Sequence, residues 1–320
     1  MAKPATPAAP ATPATPAVIA ALVEEPTLPT PSTTPDVPAS VPPGEAATDP
    51  APESSTPTPA PAGEPASVQA PDNIAANPLD RWPADTRLSY RLGGFYKGEL
   101  YGSARVQWQR EKAPGPPTAN PALPAAPAAP AARGVNYQVM LTVKAAGLTL
   151  ATLTSQGEAT ATGLVPRIYE EQVPGGLRRA EFTDGQVKFQ NGNVALLPFG
   201  AQDTVSQFVE LAHRFSTGRE KLAAGAPVRV WLARPGGLDE WIYDVGAEET
   251  LQTPELGAIQ AFHLTPRPLV NPRGAITAEL WFAPSLQYLP VRVRIVLGGS
   301  DFVDLMIERI EQAEGAPTVK

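Results

Sequence analysis

The chain has two histidines, His213 and His263, and neither has a partner at metal-ligand spacing. An imidazole that acts as a general base or zinc ligand needs further groups within reach, so both histidines read as structural. Cysteine is absent, which removes thiol nucleophiles, thiolate metal sites and disulfides together. No G-x-S-x-G elbow presents a serine nucleophile in the aromatic-bearing part of the chain. Acidic neighbours occur at Glu170 and Glu171, Asp239 and Glu240, and Glu248 and Glu249. Neighbours on a strand point to opposite faces, so these read as solvated strand edges rather than catalytic dyads. The pairs Gly175-Gly176, Gly236-Gly237 and Gly298-Gly299 stand at hairpin turns and not before helices, so no phosphate-cradling loop is expected. The reading is a protein without catalytic residues, metal site or cofactor, hence not an enzyme. The catalytic alternative is a carboxylate-dependent hydrolase, which requires two facing acids about 5 to 9 Å apart in a cleft.

Binding chemistry is better represented. Trp231 stands beside Arg229, and Trp281 follows Thr277 and Glu279, so two tryptophans occupy otherwise polar strand faces. Trp231, Trp281 and Arg229 are therefore candidates for lining a groove that takes a lipid or other apolar ligand, with a helix as its lid. The plain alternative is that the rings pack beneath that helix or at the barrel ends. Arg292 and Arg294 are suited to a carboxylate or phosphate head group, but cross-strand pairing with Asp304 and Glu308 explains them as well.

These side chains are carried by strands. Val291, Val293 and Ile295 alternate with Arg292 and Arg294, Val228, Val230 and Leu232 with Arg229 and Trp231, and Ile276, Ala278, Leu280 and Phe282 with Thr277, Glu279 and Trp281. Period two marks half-buried strands. Asp184-Gly185, Asn191-Gly192-Asn193, Pro235-Gly236-Gly237 and Gly298-Gly299-Ser300 supply turns between them. The pattern predicts a mainly β domain, an antiparallel open barrel or sandwich of about a dozen short strands. With Gly298 to Ser300 as a three-residue loop, the last hairpin sets Leu297 opposite Asp301, Ile295 opposite Val303 and Val293 opposite Leu305. That register places Arg294 opposite Asp304 as a structural ion pair. One amphipathic helix is expected from Asp203 to about Phe215, since Val205, Phe208, Val209, Ala212 and Phe215 follow three-four spacing. Thr204 and Gln207 read as its capping box, and the helix is expected to plug or flank the barrel.

Composition sets the boundaries. Of 40 prolines, 20 lie in residues 1–80, which contain no Phe, Trp or Tyr. Such a segment cannot bury enough apolar area to offset its conformational entropy, so residues 1–80 are expected to be a long disordered Pro/Ala-rich arm. Residues 81–314 are expected to form a single β domain. Residues 111–133, EKAPGPPTANPALPAAPAAPAAR, read as a disordered insertion at a hairpin tip. Exchanging a four-residue turn for such a loop costs about 1.5 kcal/mol of closure entropy, which a domain tolerates. The net charge of −7 resides in the arm, which has one lysine against nine acids; the remainder carries 24 basic and 23 acidic side chains. A nearly neutral domain offers no field for phosphate backbones, so nucleic acid is not an expected partner. No stretch reaches the roughly 20 apolar residues of a membrane span, and Ala17 to Val23 is too short and proline-flanked to read as a signal core.

Three segments carry a family likeness: GAQDTVSQFVELA (Gly200 to Ala212), EWIYDVGAEETLQTPELGAIQAFHL (Glu240 to Leu264) and ELWFAPSLQYLPVRVRI (Glu279 to Ile295). They resemble the bacterial family called domain of unknown function 3108, from about Leu88 to Glu311. The most specific piece is the run through Trp281, Phe282, Ala283 and Pro284 to Leu289, Pro290, Val291, Arg292, Val293 and Arg294. The resemblance implies an exported, predominantly β envelope protein of Gram-negative bacteria, periplasmic or envelope-associated, often with a hydrophobic anchor and a Pro-rich spacer. It implies no activity and no catalytic residues. This chain departs in showing no anchor, which is expected to lie upstream, and in carrying the 111–133 insertion. The expected function is a non-enzymatic envelope β domain on a spacer that binds an apolar ligand or an envelope protein; the alternative is a scaffold of an envelope assembly.

Overall fold

The computed structural model describes residues 85–111, 134–269 and 276–313. The expected disordered arm at 1–80 and all but Glu111 of the expected insertion lie outside the described residues. Fifteen strands follow in chain order among them. These are β1 (Thr86–Phe95), β2 (Glu99–Arg110), β3 (Val135–Ala145), β4 (Leu148–Thr160), β5 (Gly163–Val173), β6 (Gly176–Thr183), β7 (Gln186–Phe189), β8 (Val194–Leu196) and β9 (Gln202–Asp203), then, after helix α1 (Ser206–Ser216), β10 (Pro227–Arg234), β11 (Gly237–Thr253), β12 (Gly257–Pro266), β13 (Thr277–Ala283), β14 (Leu289–Gly298) and β15 (Asp301–Gln312).

All fifteen belong to one unclosed sheet in the order β8-β7-β6-β5-β4-β3-β2-β1-β15-β14-β13-β12-β11-β10-β9. Neighbours pair antiparallel except β9 with β10, which run parallel. The single sheet takes the open-barrel form of the sequence reading and not the sandwich. It is a meander cut once: β1 pairs with β15, so the two chain ends of the described body meet in the middle of the sheet. A sheet this wide twists and curls as its strands accumulate right-handed rotation. The curl is visible in the contacts: α1 touches β5, β9 and β14, and β8 approaches β11, although these strands are far apart in the sheet order. The sheet therefore wraps around the helix.

Alternation places the core. Val228, Val230 and Leu232 of β10 face inward and are buried, while Arg229 is exposed. The same period runs through Tyr90 and Leu92 of β1, Val139, Leu141 and Val143 of β3, and Val303, Leu305 and Ile307 of β15. Turn chemistry follows the sequence: Asp184-Gly185 joins β6 to β7 with Thr183 opposite Gln186, and Pro235-Gly236 joins β10 to β11 with Arg234 opposite Gly237.

Two local expectations are corrected. The last hairpin turns on Gly299-Ser300, with Gly298 opposite Asp301 and a bulge at Leu297, so Leu297 does not face Asp301. The bulge supplies the extra residue, and beyond it Ile295 faces Val303, Val293 faces Leu305 and Arg294 faces Asp304 as expected. The helix starts at Ser206, three residues later than the expected Asp203, which ends β9, and the Thr204–Gln207 box does not form. The Asp203 Oδ1 accepts the Val205 and Ser206 amides at 3.0 and 2.9 Å, and Ser206 Oγ accepts the Asp203 amide at 2.9 Å. Asp203 and Ser206 thus bond reciprocally across the turn that leads from β9 into α1, because a carboxylate accepts two amides at once where the Thr204 hydroxyl accepts less well. Gln207 instead donates to the Thr204 carbonyl at 3.0 Å.

Candidate functional site

α1 is amphipathic in sequence, yet nine of its eleven residues are buried, among them Gln207, Glu210 and His213. A polar helix face turned inward must find partners inside the sheet. Glu210, 2% exposed, accepts the Leu164 amide at 2.8 Å and the Nε of Arg214 at 2.7 Å, with Arg219 at 3.3 Å. Its carboxylate presses on Gly163, where an added Cβ would lie 3.0 Å from Oε1 at a φ of +149°. Arg219 also reaches His213 Nδ1 at 2.8 Å, so this histidine is held structurally.

A second polar chain runs from the sheet to the entry of α1. Tyr137 and Ser155 hydroxyls lie 3.1 Å apart, and Ser155 donates to Asp203 Oδ2 at 2.5 Å. Burial pushes the Asp203 carboxyl up to about 6, against the lowering effect of the Ser155 hydroxyl and the Val205 and Ser206 amides. Beside it, the Tyr169 hydroxyl donates to Glu171 at 2.6 Å, and burial, with the Glu171 charge, holds that phenol well above its ordinary range.

Below this network lies a cavity of about 170 Å³. Its walls are largely aliphatic, from Val106, Leu141, Val143, Ala151, Val293 and Leu305 on the sheet, with Phe208 of α1 on the other side. Engineered apolar cavities of about this size stay dry and take one benzene-sized molecule. Polar residues also line it: Glu171 and Arg178 on β5 and β6, Arg234, Trp241 and Tyr243 on β10 and β11, and Thr204 and Gln207 at the start of α1. Five of their atoms, Thr204 Oγ1, Gln207 Oε1, Arg234 Nε, Trp241 Nε1 and Tyr243 Oη, are buried without a hydrogen-bond partner among the described residues. Buried polar atoms of this kind cost about 1 to 3 kcal/mol each, and their concentration around one cavity marks it as more than a packing fault.

The tryptophans singled out by sequence lie elsewhere. Trp231 and Arg229 have the opposite parity to Leu232 and stand on the outer face, where Arg229 reaches Glu240 at 3.4 Å. Trp281 is 3% exposed but is covered from outside. His263 stacks on its ring at 4.0 Å between centroids and 7°, Arg292 lies 4.6 Å over the other side, and its Nε1 donates to Glu249. None of the three lines the cavity. The tryptophan that does is Trp241, which shares the inward parity of Tyr243 on β11, the signal by which the sequence could have pointed to it. Glu170 and Glu171 do split between faces, with Glu170 outward near Arg179 at 3.7 Å and Glu171 at the cavity.

The expected Arg294–Asp304 ion pair is corrected. Arg292 takes Asp304 through two bonds, with Nε to Oδ1 at 2.9 Å, while Arg294 lies 4.5 Å over the Phe302 ring. Each arginine leans diagonally, toward the residue opposite its second neighbour, as strand twist and side-chain lean favour. Glu308 pairs with Arg91 at 3.0 Å and not with either of these arginines.

Fold and site together define a β domain whose open sheet enfolds one buried helix beside an apolar, polar-rimmed cavity. The chain belongs to the family described as "Protein of unknown function (DUF3108)", whose model matches residues 131–305, more than half of the sequence. A crystal structure of a β-barrel-like protein of the domain of unknown function DUF1849 from Brucella abortus is similar at 12% identity and a TM-score of 0.43, covering 73% of this chain and 99% of that one. No curated protein matches the chain.

Proposed function

We propose that this domain is a non-enzymatic binding module of the bacterial envelope that holds a small apolar molecule in the cavity between α1 and the sheet. The carrying observation is the coincidence of an aliphatic cavity with five unpartnered buried polar atoms in its lining. Convergent polar groups on an otherwise apolar pocket are what orient a small ligand. The envelope placement rests on the family resemblance and on the Pro-rich composition of residues 1–80, which suits a spacer. Among the described residues no helix is long and apolar enough to cross a membrane, and no group of three metal-ligating side chains comes together.

The test is calorimetric titration of the whole chain with toluene, a neutral apolar probe of the size the cavity admits. Saturable binding by the natural sequence, abolished when Ala151→Phe fills the cavity while the circular dichroism spectrum is unchanged, supports the reading. Equal binding by both proteins overturns it.

The scaffold alternative has one observation in its favour. Among the described residues the outermost strand β8 leaves one edge unpaired, and Leu196 and Phe199 beside it are 86% and 94% exposed. Open edges with exposed apolar residues are templates for adding a strand from another chain, here a second copy. Sedimentation of the whole chain tests this: a concentration-dependent dimer abolished by Leu196→Asp supports it, and a monomer at every concentration removes it.

A further inference from the structure

The rim of the cavity has a chemical bias that narrows what fits. Resting on the reading of the cavity as a small-molecule site, we propose that its ligand is an amphiphile with an anionic, acceptor-rich head group, held by Arg178 and by the cluster of Arg234, Trp241 and Tyr243. Arg178 lies opposite Glu171 in the β5–β6 register, yet Glu171 is engaged by the Tyr169 hydroxyl. Arg178 is half-buried on the cavity lining and has no ion-pair partner among the described residues. A partly desolvated guanidinium without a carboxylate calls for an anion.

Across the rim the other groups are donors. Arg234 gives one terminal nitrogen to Asp239 at 3.2 Å and lies 5.3 Å over the Trp241 ring, leaving its Nε unused. The Trp241 and Tyr243 rings stack at 6.1 Å between centroids, so these three side chains form one contiguous patch. The unused atoms are an arginine N–H, an indole N–H and a phenol O–H; the first two can only donate. Burial keeps the Tyr243 phenol protonated far beyond neutral pH, so it too is a donor. The lining carboxylate, Glu171, accepts the Tyr169 hydroxyl, Asp239 pairs with Arg234, and the remaining lining acceptor without a partner is Gln207 Oε1, beside the Thr204 hydroxyl. Unused donors outnumber unused acceptors, while the charges themselves balance, Arg178 and Arg234 against Glu171 and Asp239, so the bias lies in the donors and in the unpaired guanidinium of Arg178. A carboxylate or phosphate brings acceptors only, whereas a neutral alcohol spends part of its capacity as a donor. The inward atoms are sealed from water, so the head group reaches them only through side-chain rotation, whereas Arg178 is half-buried and accessible in part.

Calorimetric titration of the whole chain with octanoate, octyl phosphate and octanol tests the head-group assignment, because the three share one apolar tail. The expectation is that at least one anion binds ten times or more tighter than octanol, and which anion binds tighter separates a fatty acid from a phosphorylated lipid. Arg178→Gln is expected to bring that anion down to the affinity of octanol and to leave octanol unchanged. Trp241→Phe, which deletes the indole N–H, is expected to weaken the anion severalfold with less effect on the alcohol. Octanol binding as tightly as both anions, or anion binding insensitive to Arg178→Gln, overturns the head-group assignment and leaves the cavity reading standing. No binding of any of the three overturns both.

Discussion

Asp203 joins two jobs that compete energetically. Its carboxylate accepts two amides at the entry to α1 and closes the Tyr137–Ser155 chain, yet burial raises its pKa from 3.8 to about 6. A raised carboxyl binds its proton more tightly when folded, so the stability it contributes is fully present below about pH 4 and is lost as pH rises to about 6. A rise of that size corresponds to about 3 kcal/mol. Asp203→Asn retains an oxygen for the two amides, and its own amide can donate to Ser155 if the hydroxyl chain reverses direction. Urea unfolding at a series of pH values is expected to show the variant's profile flatter by about that amount between pH 4 and 6; parallel profiles for the two proteins would refute the assignment. Glu210 makes the opposite case, since its charge is matched by Arg214 and Arg219. Removing it as Glu210→Ala leaves the Leu164 amide and Arg219 without their carboxylate and Arg214 with Glu220 alone at 3.6 Å, with an expected loss of about 3 kcal/mol by the same measurement. A loss under 1 kcal/mol would mean that the contact is idle.

At the scale of elements, the β14–β15 hairpin separates register from contact. The alternation of apolar and charged residues was enough to align Val293, Ile295 and Arg294 with Leu305, Val303 and Asp304, because a slip of one residue exposes a whole apolar face. It was not enough to choose the ion pair, since twist decides which diagonal is short. A double-mutant cycle with Asp304→Ala is expected to give about 1 kcal/mol of coupling to Arg292 and close to zero to Arg294. Equal coupling would restore the directly opposed pair. The entry to α1 is a similar case: a polar residue three before another was legible, but Asp203 and Ser206 form the same spacing as Thr204 and Gln207, and only the path of the chain out of β9 selects between them.

For the whole molecule, the wrapped sheet makes the helix the least accessible element. Leu211, Ala212 and His213 are at most 2% exposed, and α1 touches strands from distant parts of the sheet. Hydrogen exchange is therefore expected to open α1 amides only with global unfolding, while β8, short and at an edge, exchanges by local fraying. Faster exchange in α1 than in β14 would show that the sheet does not enclose it.

The residue pattern alone determined that the domain is built of two-faced antiparallel strands with one amphipathic helix, because period two and three-four spacing are properties of a chain's own backbone geometry. It also located the turn residues of the hairpins, though not the bulge at Leu297, and placed the arginines in the register. The cavity was decided only by tertiary structure. Trp241, Tyr243 and Arg234 come from one hairpin, Arg178 from another, and Gln207 from the helix; they share a lining only because the sheet curls. Trp231 and Trp281 drew notice for being apolar on polar faces, and that same parity put them outside. Which side of a curled sheet encloses space depends on the sum of twist over fifteen strands, a quantity that no single strand's sequence contains.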